Sequence, residues 1–231
     1  MTRRKIQYWV IPPEADAEFV ANMEAVLETY ERPYQRHHPV ICMDEQPVQL
    51  IRETRDPVKA TLRHARRVDY EYERAGTASI FMFSEPLVGW RRATARPQRT
   101  KADWATEVAH LLEGRYAHCE RITLVCDNLN THTKGAFYEV FAPYRARALV
   151  RRIAFCYTPK HGSWLNIAEN ELSAMTSQCL KGRRIGDLER LHCELCAWSV
   201  DVNRRQRGVD WQMKIDDARC KLKSVYHKIK T

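Results

Sequence analysis

A chain of 231 residues has room for one domain with a full core, or one domain and an appendage. Its 44% apolar and 10% aromatic content excludes a disordered polymer. No apolar run approaches the ~20 residues of a membrane span, and the N-terminal MTRRKIQYWVIPP has too short an apolar part for a signal peptide. Lys and Arg number 38 against 29 Asp and Glu, a formal excess of nine. That excess points to a polyanionic partner, most often nucleic acid, beside the blander readings of a generic basic protein or one facing an acidic surface.

Residues 6–13 read as a short extended lead-in that stops at the Pro pair. Over residues 14–30 the apolar side chains Phe19, Val20, Met23, Val26, Leu27 and Tyr30 recur at the spacing of an amphipathic helix, and Pro33 follows its end. Val40, Ile41, Cys42 and Met43 form a buried strand that ends in Asp44 and Glu45. Adjacent strand residues point to opposite faces, so these two acids do not serve one site. Residues 48–94 are strand-rich: short-period alternation over 68–73, a turn at Ala75-Gly76-Thr77, a strand over 78–83 and another beginning at Leu87. This reads as antiparallel hairpins, with the Asp44 strand paired to them. Residues 91–101 carry Arg91, Arg92, Arg96, Arg99 and Lys101 without an acid, a loop that is either solvated or in contact with phosphate. A helix follows over 103–112, with Trp104, Val108, Leu111 and Leu112 on one face and Gly114 as terminator.

Residues 122–125 are a strand buried on both faces, and the run breaks into Asp127, Asn128, Asn130, Thr131 and His132. A carboxylate at such an exit faces the rim where ligands bind, or it caps the next helix, which spans about 133–141. Arg145, Arg147, Arg151 and Arg152 surround a short helical turn, and 153–156 is another strand. The loop YTPKHGS introduces a helix near Trp164 whose apolar face is Leu165, Ala168, Leu172 and Met175. Glu169 lies on its flank with Asn166 on the same face, and Glu171 points about 200° away. A last helix covers 187–202, and 214–230 is a basic amphipathic tail.

Eight Cys are scattered without framework spacing. Cys42, Cys126 and Cys156 read as small buried hydrophobes, reduced thiols of a cytoplasmic protein. Cys193 and Cys196 make a lone C-x-x-C with no second ligand pair for zinc, read as core-facing neighbours on a helix.

Three segments thus offer an acid at an element edge: Asp44, Asp127 and Glu169. Brought together, they concentrate negative charge that needs protons or cations. An open set of hard oxygens suits Mg²⁺ or Mn²⁺, and two such ions suit in-line attack at phosphorus. Asp44 after VICM, LVCDNLNTH around Asp127 and TPKHGSWLNIAE ending at Glu169 resemble the three catalytic motifs of DDE transposases, in particular insertion sequence family 630, related to the mariner elements. WVIPPEADAEFV and DYEYERAGTASIFMF extend the resemblance over nearly the whole chain.

The resemblance implies an α/β, RNase H-like mixed sheet flanked by helices on both faces. It implies metal-dependent cleavage and transfer of DNA strands by Asp44, Asp127 and Glu169 holding two Mg²⁺ (or Mn²⁺) ions. The expected partners are DNA (transposon ends and target), a second copy in an active homodimer, and no membrane. Asn128, His132, His161 and Asn166 are candidates for supporting the acids or touching DNA, as are Arg91 and Arg92; Glu45 and Glu171 read as supporting or surface acids. The 41 residues between Asp127 and Glu169 exceed the spacing of mariner relatives, with the surplus expected around 143–152. The family carries N-terminal helix-turn-helix segments ahead of the WVIPP region. Here they are expected on another polypeptide, or the chain is an isolated catalytic half. The expected organisation is 1–38 lead-in and helix, 39–205 catalytic domain and 206–231 basic tail. Two other readings are a non-catalytic DNA-binding remnant or regulator, and a metal-dependent nuclease without strand transfer.

Overall fold

The structure, a computed structural model, describes residues 16–205, 207–223, 225 and 226. The 6–13 lead-in and the ends of the first helix and of the tail as read from sequence lie outside them. Five strands form one mixed sheet in the order β3-β2-β1-β4-β5. They are β1 (Val40–Glu53), β2 (Tyr72–Glu85), β3 (Trp90–Arg96), β4 (Ile122–Cys126) and β5 (Ile153–Tyr157). β1, β2 and β3 pair antiparallel, and β1, β4 and β5 run parallel. Helices cover both faces, as the expected RNase H-like arrangement requires. No described helix is long and apolar enough to cross a membrane.

Side-chain alternation along β1 separates the two halves of the core. Ile41 and Met43 pack with the helices α2 (Lys101–Glu113), α3 (Lys134–Val140) and α4 (Pro143–Arg151). Cys42 and Leu50 pack on the other face with α1 (Ala17–Glu31), α5 (Ile167–Met175), α6 (Leu188–Arg205) and α7 (Ile215–Lys221). Both α1 and the tail residues Val209, Trp211, Ala218 and Val225 belong to this second cluster. The three sequence segments therefore do not divide the core: the lead-in helix and the tail are parts of one hydrophobic unit.

Caps explain several helix starts. Asp16 accepts from the Phe19 amide at α1, and Thr100 and Asp103 form a reciprocal capping box at α2. Pro143 opens α4, where a missing N–H costs nothing, so the expected short turn is a nine-residue helix.

Three local readings are corrected. Ala75-Gly76-Thr77 is a bulge inside a continuous β2, not a turn: the register with β1 shifts between Gln49 and Ile51, and Gly76 takes φ +96°. The chain reverses instead at residues 86–89, ending on Gly89 with φ +71°. There a Cβ would lie 2.5 Å from the Arg207 carbonyl carbon. The basic run after Gly89 is largely strand β3 rather than loop. As the sheet's edge, β3 directs the N–H groups of Arg91, Ala93 and Ala95 outward. The side chains of Asn203, Ser199 and His192 on α6 accept from them at 2.7, 3.1 and 3.4 Å. The edge is thus closed to further pairing. That same α6 exposes Cys193 and Cys196, which are not core-facing.

Candidate active site

β1 does not end at Met43. It continues to Glu53 as the arm of a long hairpin with β2, while its pairing with β4 stops at Cys42–Val125. Carrying that parallel register two residues further sets Asp44 opposite Asp127, the residue that leaves β4. The strands diverge there, and the charge of Asp127 is still felt at Asp44. Asp44 shares its face with Cys42, the face covered by α5.

Helix α5 brings the third acid. Asn166 is its N-cap, accepting from the Ala168 amide at 3.2 Å. The Asn166 side-chain amide donates to the carbonyl of Met43 at 2.9 Å. This buried tether fixes the start of α5 against the residue preceding Asp44. Glu169, in the first turn, is exposed. An open depression of about 780 Å³ holds Asp44 and Glu169 at one end. It extends past Ser173 and Ser177 to Lys181, beside a π-helical turn at Thr176–Leu180.

Electrostatics tie the three acids together. Burial, reinforced by the charges of Asp127, Glu169 and Glu45, pushes the Asp44 carboxyl up to about 6, although the Glu45 amide donates to it at 2.8 Å. Among the described residues, however, no three His, Cys, Asp or Glu side chains form a closed metal-holding group. The acids share one neighbourhood without closing into a cage.

The remaining candidates separate. His132 is buried and bridges two acids. Its Nε2 lies 3.1 Å from Glu45 Oε1, and its Nδ1 lies 2.6 Å from Asp127 Oδ1 and 3.2 Å from the Asp127 carbonyl oxygen. Burial alone would lower its pKa, but the contacts with Asp127, Cys126 and Glu45 outweigh that and hold it well above the ordinary histidine range. Asn128 is exposed in the loop after β4. His161 is exposed in the loop after β5, with φ 62°.

Arg91, expected at phosphates, is buried: its guanidinium forks onto Glu171 at 2.6 and 2.7 Å and donates to the Gly89 carbonyl at 2.6 Å. Glu171 is accordingly no surface acid. It points away from Glu169 because it faces β3. Arg92 and Arg96 both pair with buried Glu107 of α2. Sequence reasoning missed Glu45 as the second partner of His132. The one available signal was its place beside Asp44 on the opposite face of the same strand.

Comparison with known proteins adds three findings. A family model described as DDE superfamily endonuclease matches residues 39–192. Comparison with curated proteins gives no match. Among solved structures, the chain is similar to the Mos1 mariner paired end complex with Mn (14% identity, TM-score 0.56, covering 98% of this chain and 67% of that one). It is likewise similar to the Mos1 strand transfer complex (14%, 0.57, 98% and 66%) and the mariner Mos1 paired end complex with Mg (14%, 0.52, 89% and 64%). The chain spans about two thirds of the length of these proteins, and at this identity the likeness establishes the fold.

Proposed function

The chain belongs to the DDE superfamily endonucleases, and from that premise we propose that it is the catalytic part of a DNA transposase of the kind found in insertion sequence family 630. The observation that supports this reading is the register of β1 and β4, which, carried two residues past its last pair, leads Asp44 and Asp127 toward each other on the face packed by the helix that bears Glu169. The reaction is hydrolysis of a DNA phosphodiester that frees a 3′-hydroxyl, then attack of that hydroxyl on a phosphodiester of target DNA.

Asp44, Asp127 and Glu169 are the catalytic residues and would hold two Mg²⁺ or Mn²⁺ ions. The donor set fits such ions by its chemistry: three hard carboxylates in one neighbourhood, one of them pushed up by burial and then by the charge of the others, would repel a phosphate without cations between them. When bound, the ions activate the attacking oxygen and stabilise the leaving oxygen of an in-line displacement. The chain's own part is placement. Asn166 locks α5 to β1, and the sheet sets the separation of the two Asp. The depression running to Lys181 leaves an uncluttered approach for a strand.

The basic excess serves the phosphate backbone. We assign recognition of the transposon ends to a helix-turn-helix unit, on this polypeptide or on another, the active species to a homodimer, and the setting to the reducing cytoplasm. The test is a strand-transfer assay with labelled, pre-cleaved ends in Mg²⁺ or Mn²⁺. Joined products that vanish in Asp44→Asn, Asp127→Asn and Glu169→Gln are expected. Cutting without joining identifies a nuclease, and DNA binding with neither step identifies a remnant.

A further inference from the structure

Asp127 leaves β4 on a loop, and a loop carboxylate is a poor fixed ligand unless something else holds it. The structure supplies that hold from the opposite face of the sheet. The His132 ring is 1% exposed and stacks on Trp104 of α2, with ring centroids 5.3 Å apart at 30°. Its carbonyl oxygen accepts from the Tyr157 hydroxyl at the end of β5, at 2.8 Å. Backbone and ring are therefore both fixed by the sheet and α2 before any polar contact is counted.

Held in that way, the ring spans two acids. Nε2 meets Glu45 Oε1, whose side chain is 2% exposed, at 3.1 Å, and Nδ1 meets Asp127 Oδ1 at 2.6 Å. The Asp127 side chain is still 37% exposed, while its Oδ1 is buried against the imidazole without completing a hydrogen bond, since Nδ1 is also directed to the Asp127 carbonyl oxygen at 3.2 Å. Glu45 follows Asp44 directly and faces the other way, so one stretch of β1 supports both aspartates.

We infer that Glu45 and His132 are positioning residues: Glu45 orients the imidazole, and the imidazole holds Asp127 with one oxygen turned to the site. This rests on the reading of Asp127 as a metal ligand. Partners of this kind orient a ligand and raise its affinity for metal, and their loss costs about 10–100-fold in metal binding.

The test measures Mn²⁺ bound by the full chain without DNA, from the loss of the free-ion electron paramagnetic resonance signal, alongside thermal melting. Glu45→Leu and His132→Asn are expected to raise the half-saturating Mn²⁺ concentration about 10–100-fold. Glu45→Gln keeps an acceptor for Nε2 and should stay within about threefold of the parent. A purely structural role would lower melting in Glu45→Leu without this difference in Mn²⁺ affinity between Leu and Gln. Should His132→Asn fail to fold, the Glu45 pair decides alone. Asp127→Asn separates the two levels: if it leaves Mn²⁺ binding unchanged, the metal-ligand reading falls and this inference with it. If Asp127→Asn weakens binding while Glu45→Leu matches the parent, only the positioning role is overturned.

Discussion

Asp44→Asn should stabilise the metal-free protein at neutral pH while abolishing cleavage. Asp44 is held up to about 6, against 3.8 for an ordinary aspartate, by burial and by Asp127, Glu169 and Glu45. An acid whose pKa is higher folded than unfolded binds more protons in the folded state between the two values. Its contribution therefore falls as pH rises from about 4 to about 6 and stays unfavourable above. At about 1.4 kcal/mol per pH unit the full displacement is worth roughly 3 kcal/mol. Water reaches part of the group, so roughly 2–3 kcal/mol is the working figure. For a chain of this size that raises Tm by roughly 4–12 °C. The assay is thermal melting of parent and variant with a chelator at pH 7.5, 5 and 3.5. The gain should be full at pH 7.5, smaller at pH 5 and near zero at pH 3.5. Saturating Mg²⁺ should narrow the difference at pH 7.5, because ion binding stabilises the parent more. A gain independent of pH, or a loss of stability at pH 7.5, would refute the burial and neighbouring charge that hold Asp44 up.

Three further outcomes are expected. Glu171→Gln should cost roughly 3–5 kcal/mol in urea denaturation, because it strips the buried Arg91 guanidinium of its counter-charge; Arg91→Met with Glu171→Leu should recover most of that loss, and a neutral Glu171→Gln would mean that the pair is not formed. Asn166→Asp keeps the cap of α5 but removes the donor to the Met43 carbonyl; it should cost about 1–3 kcal/mol and lower metal-dependent cleavage, whereas parent-like cleavage would show that the tether does not place Glu169. In titrations at two salt concentrations the chain alone should bind DNA weakly, with steep salt dependence; a hundredfold preference for terminal-repeat over scrambled DNA, about 2.7 kcal/mol, would place recognition within these residues.

Local patterns were enough for much of the architecture. The spacing of Phe19, Met23, Val26, Leu27 and Tyr30 announces α1, and the unbroken apolar run before Asp127 announces a strand buried on both faces. Both follow from periodicity, which needs no knowledge of the partner. The motifs around Asp44, Asp127 and Glu169 are likewise readable as residues, and so is the opposition of Asp44 and Glu45 across a strand. Partner choice was not readable. Nothing local says that Arg91 pairs with Glu171 eighty residues away, or that His132 reaches back to Glu45 across 87. A basic run looks the same in a loop and on an edge strand, and only tertiary packing buries one of its arginines against Glu171 of α5. Gly76 permits a turn and a bulge equally, and the register with β1 decides between them. Bringing the three acids into one neighbourhood depends on which strands pair, and in which register. That choice is made by the two buried faces of the sheet acting together, a sum over contacts distant in sequence that no single stretch of the chain contains.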